Sequence, residues 1–91
     1  MSEHIPTPEE LNQIKEDLTL LLLFLNGWEE GITGLDQTWL RSWKGYDHGM
    51  LHVLALKDYI QDSPGSKSVT LTADGETRAR VLLKHYTGQE V

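Results

Sequence analysis

The chain contains no cysteine. This removes a disulfide framework, a thiolate zinc site and a cysteine nucleophile at one stroke, and it suits the cytoplasm. Long apolar runs are also missing. The longest covers residues 20–25, far short of the roughly 20 residues a membrane span needs. The opening Met1-Ser2-Glu3-His4-Ile5-Pro6 has neither the basic start nor the apolar stretch of a secretion signal. No Gly-x-Ser-x-Gly elbow and no glycine-rich phosphate loop occur. Glu9-Glu10, Glu16-Asp17 and Glu29-Glu30 are sequence neighbours. On a helix such neighbours diverge by about 100° and do not share a site. These absences predict a cytoplasmic, non-catalytic chain with no cofactor, no membrane contact and no small-molecule substrate.

Positive charge is scarce: 8 Lys and Arg stand against 14 Asp and Glu, a net charge of -6. The imbalance is uneven. Residues 1–45 hold eight acids and three bases, and residues 46–91 hold six acids and five bases. Affinity for nucleic acid rests on neutralising phosphates, so this balance disfavours a strong binder.

With 91 residues the chain has the length of one domain. Residues 1–6 and 88–91 are expected to be flexible ends. Thr7-Pro8-Glu9-Glu10 starts a helix: Thr7 caps, Pro8 suits the first position and Glu10 completes a capping box. Leu11, Ile14, Leu18, Leu21, Leu22 and Leu25 then recur at helical spacing and are expected to form its core stripe. Asn26-Gly27 is expected to end it with a left-handed cap. Leu20, Leu23 and Phe24 make the last two turns apolar on every side, so either the domain or another chain must cover them.

Residues 26–35 read as a glycine-rich loop. A short helix is expected over 36–43, with Trp39, Leu40 and Trp43 on one buried face. Asp47 caps a further helix over 48–57, whose core stripe is Met50, Leu51, Leu54 and Ala55. Tyr59 and Ile60 lead out of it. Asp62-Ser63-Pro64-Gly65-Ser66 is a turn, and Lys67-Ser68-Val69-Thr70-Leu71 alternates like a half-buried strand, so the two sides make a hairpin. Thr72 caps the last helix, which buries Ala79, Leu82, Leu83 and Tyr86 and ends at Gly88. The expected class is α+β. The order helix, short helix, helix, hairpin, helix is that of a winged helix-turn-helix variant with three to four helices and a small C-terminal hairpin.

Trp43-Lys44-Gly45-Tyr46-Asp47, then Leu51, Leu54, Lys57, Ile60 and Asp62, then Lys67-Ser68-Val69, Leu71-Thr72, Gly75 and the closing helix form one pattern. It resembles a small bacterial family known only as a domain of unknown function, and the likeness covers most of 18–86. The resemblance implies a winged-helix-like fold and no established activity or catalytic residues. The chain departs from the pattern at Val53 and Leu56, where the family is polar, and at Asp58, where a helix-ending glycine is typical. Its loop at 26–38 is also longer.

His48 and His52 lie four apart on the expected helix, the nearest approach to a metal pair, but a site needs three or four ligands and no third is nominated. No metal is therefore expected. The helix over 48–57 offers base edges only His48, His52, Val53, Leu56 and Lys57, with no arginine. If the chain were a DNA-binding regulator, Lys57, Lys67, Arg78, Arg80 and Lys84 would make the contacts. The reading favoured by the residues is a protein–protein interaction module that forms a homodimer or binds a protein partner. Its interface candidates are Leu20, Leu23, Phe24, Trp28, Val53 and Leu56, because surplus apolar surface on a small chain marks an interface.

Overall fold

The computed structural model describes residues 5–31, 34 and 36–88. The flexible ends expected at 1–6 and 88–91 fall mostly outside this range. Three helices and four strands follow in the order α1 (Pro8–Leu25), β1 (Trp28–Gly31), β2 (Thr38–Trp43), α2 (His48–Leu56), β3 (Ile60–Asp62), β4 (Ser68–Leu71) and α3 (Ala73–Thr87). The strands form one antiparallel sheet in the order β1-β2-β4-β3.

The helix starts are local chemistry. Thr7 accepts the Glu10 N–H at 3.2 Å, Asp47 the Met50 N–H at 3.3 Å and Thr72 the Gly75 N–H at 3.0 Å. Each bond satisfies one of the donors a helix start leaves over. Two helices end left-handed: Gly88 has φ 73° and Asp58, just after α2, has φ 60°. Asp58 thus adopts the left-handed conformation that glycine reaches most easily. Aspartate is among the few other residues that reach it at modest cost.

The end of α1 differs from expectation. Asn26 has φ -94°, so no left-handed cap forms. Gly27 matters for space instead, because a Cβ there would lie 2.9 Å from Leu40 Cδ1 and 3.0 Å from the Arg41 carbonyl oxygen.

The largest correction concerns 26–43. The expected short helix over 36–43 is strand β2, and part of the expected loop is its partner β1, with Trp28 opposite Arg41 and Gly31 opposite Thr38. The reason is periodicity. Residues four apart share a face in a helix, but they also share a face in a strand, where the period is two. Trp39 and Trp43 satisfy both. Leu40 and Ser42 turn inward, while Trp39 and Trp43 are 40% and 61% exposed rather than core.

The second hairpin appears as read. Ile60 pairs with Leu71 and Asp62 with Val69. Its turn has Pro64 second and Gly65 third, with Gly65 at φ 84° and Ser66 N–H bonded to the Ser63 carbonyl at 3.1 Å. That is a type II turn. The hairpin lies mid-chain, ahead of α3, not at the C-terminus. The α+β class stands. Successive helices are each separated by a strand pair, so among the described residues no two are joined by a short helix-turn-helix connection.

The core joins Leu20 and Leu23 of α1, Leu51 and Leu54 of α2, Ile60, Val69 and Leu71 of the sheet, and Ala79 and Leu82 of α3. Leu83 is half-buried and Tyr86 exposed, so the inner stripe of α3 is narrower than expected. Gly75 lets α3 approach α2's exit, where a Cβ would fall 1.9 Å from the Tyr59 carbonyl oxygen.

Candidate functional site

α1 carries two faces of different fate. Its inner face presents Glu16, Leu20 and Leu23, all buried. Leu11, Ile14, Leu18, Leu22 and Leu25, assigned to the core by the leucine spacing, are 47%, 39%, 39%, 44% and 54% exposed. Of that expected stripe only Leu21 is buried. The five exposed residues follow one another at 3, 4, 4 and 3 positions. At about 100° per residue they fall within an arc of about 80°, on the side of the helix opposite Leu20 and Leu23. Both stripes are apolar and helical in period, so spacing alone does not tell which one the domain covers. The composition of the helix settles it nowhere; the positions of α2 and α3 do.

The flanks of the outer stripe differ in sign. Glu10 and Asp17 lie on one side and Lys15 on the other, by the same helical arithmetic. Asp17 is held by Arg78 Nη2 at 3.4 Å, and buried Glu16 by Lys57 Nζ at 2.6 Å. These two ion pairs tie α1 to α3 and α2 and leave the outer stripe uncovered.

The expected interface residues divide. Leu20 and Leu23 are 1% and 0% exposed and belong to the core, which removes them as contacts. Phe24 is half-buried at the core margin, with the Arg80 guanidinium 5.7 Å from its ring centroid. Trp28 is half-buried and its ring centroid lies 4.8 Å from that of Trp43. Val53 is half-buried, while Leu56 is 71% exposed at the end of α2.

The sheet face away from the core is a second surface. It carries Trp28, Trp39, Arg41, Trp43 and Thr70, since their neighbours Leu40, Ser42, Val69 and Leu71 face inward. Arg41 is the centre of this face. It donates to Thr70 Oγ1 at 3.0 Å and to Ser68 Oγ at 2.5 Å, and its Nε meets Glu30 Oε2 at 3.2 Å. No sequence motif announced this network; the strand register creates it. Beside Trp39 a shallow cleft of about 430 Å³ reaches to Thr72 and Glu76, where Glu76 is the only charged lining group among the described residues.

The cations named for DNA contact lie at the end of α2, on the approach to β4 and on α3. Lys57 and Arg78 sit in the two ion pairs above, Arg80 lies against Phe24, and Lys67 and Lys84 are exposed on β4's approach and on α3. His48 and His52 are both exposed on α2, and no group of three or more potential metal ligands stands together among the described residues. Among those residues no helix is long and apolar enough to cross a membrane.

No curated protein and no solved structure matches the chain. One family model does, over residues 11–89, which takes in α1 from Leu11, the whole sheet, α2 and α3. It is described as a domain of unknown function (DUF6429), and the chain belongs to that family.

Proposed function

We propose that this protein is a non-catalytic protein–protein interaction module that self-associates through the outer face of α1. One observation carries the reading: five aliphatic side chains in a single stripe stay about half exposed on a helix whose other face is core. Burying such a side chain fully is worth about 1.5–3 kcal/mol, so covering the exposed half of each gains about 1 kcal/mol. Two stripes together then gain about 10 kcal/mol, against an association cost of about 4–15 kcal/mol. The net gain is at most about 6 kcal/mol, a dissociation constant of some tens of micromolar or weaker, which favours a reversible dimer over an obligate one. The runner-up reading, a winged-helix DNA regulator, has less to rest on. Its cations are partly occupied by Glu16 and Asp17, and α2 presents no arginine.

Sedimentation equilibrium on the full chain tests the proposal. The expected result is a rise from 10.3 kDa toward twice that mass with concentration. Leu18→Asp, at the centre of the stripe, should leave a folded monomer at every concentration. A chain that stays at the monomer mass up to millimolar concentration removes the reading.

A further inference from the structure

We infer that the occupant of the α1 stripe is a second copy of this chain whose α1 runs parallel and in register; this rests on the association reading above and adds its geometry. Every residue from 8 to 15 is exposed, so the first two turns of α1 receive little cover from their own domain. Helical turns without tertiary packing are marginal in water. The stripe that would stabilise them is already present, and it is narrow. An arc of about 80° has the width of a helix–helix seam, not of a face lying in a broad groove.

The flanking charges choose both the partner and its direction. Two-fold pairing of parallel helices brings unlike flanks together, so Lys15 of each copy lies beside Glu10 of the other. Antiparallel pairing about Leu18 brings like flanks together. It leaves Lys15 with no acid opposite and Glu10 with no base opposite. Unlike charges that meet across a seam in one direction and not in the other select that direction. The helix is therefore complementary to itself in the parallel sense, which is what a second copy requires and an unrelated partner does not. The seam then runs Leu11 to Leu11, Leu18 to Leu18 and Leu25 to Leu25.

The absence of cysteine makes the test direct. Leu11→Cys and Leu25→Cys are prepared separately in the full chain and oxidised mildly, alone and mixed, above the dissociation midpoint. The expected result is a disulfide-linked dimer from each variant alone, with no link between position 11 and position 25 in the mixture. Links formed only between 11 and 25 overturn the parallel arrangement while the association reading survives. A chain that sediments as a dimer but cross-links at neither position overturns the α1 seam and places the contact elsewhere. A strict monomer by sedimentation removes the association reading and this inference with it.

Discussion

At the scale of single residues, two glycines are fixed by what they touch. Gly75 lies in the first turn of α3, where the Tyr59 carbonyl already accepts the Thr72 N–H at 3.0 Å. A Cβ on Gly75 would meet that same oxygen at 1.9 Å, and the obstacle is backbone, not a movable side chain. Overpacking of a tight site costs typically about 1–3 kcal/mol. Gly75→Ala is expected at or above the top of that range, despite alanine's better helix propensity. A urea denaturation showing a lower midpoint at unchanged slope would record it. The caps at Thr7, Asp47 and Thr72 were legible in sequence because each is a contact across three residues. Gly27 was misread as a left-handed cap because its true neighbours, Leu40 and Arg41, lie thirteen and fourteen residues on. Only the strand register brings them there.

At the scale of elements, β2 is where sequence reading failed and where the sheet is tied together. Trp39 and Trp43 at spacing four fit one face of a helix and one face of a strand equally, and the deciding partner, β1, was concealed in a segment read as loop. Arg41, between the two tryptophans, then joins three strands through Glu30, Ser68 and Thr70. Its side chain is 19% exposed while that of Glu30 is 57% exposed. The bonds to β4 should therefore outweigh the ion pair, since exposed pairs contribute about 0–1 kcal/mol. Arg41→Met is expected to cost about 2 kcal/mol, through hydroxyls left without their charged donor. Glu30→Gln should cost under about 0.5 kcal/mol. Thermal melts of both variants check the contrast; equal losses would mean that the ion pair, not the hydroxyl network, holds the strands.

At the scale of the whole molecule, the leucines of α1 exceed what one small core uses. A domain of this length buries only about 60–65% of the surface its unfolded chain exposes, and here Leu11, Ile14, Leu18, Leu22 and Leu25 remain on the uncovered side. The surplus was visible in sequence, but its direction was not. Two apolar stripes on one helix compete for the core, and the choice depends on where α2 and α3 attach through Lys57 and Arg78. If the surplus is covered by a second copy, folding and association are linked equilibria, and stability must depend on concentration. A partner that binds only the folded state adds about 2.7 kcal/mol when present at a hundred times its dissociation constant. About 1 kcal/mol moves the melting temperature of a domain this size by about 4–8 °C. Shared between two protomers, a hundredfold rise in protein concentration above the dissociation midpoint should raise Tm by about 5 °C or more. Leu18→Asp should flatten that dependence and keep the Tm of the dilute unaltered chain, because Leu18 lies outside the core. A Tm that stays constant with concentration for the unaltered chain would separate its folding from any partner, and the outer leucines would then need a different account.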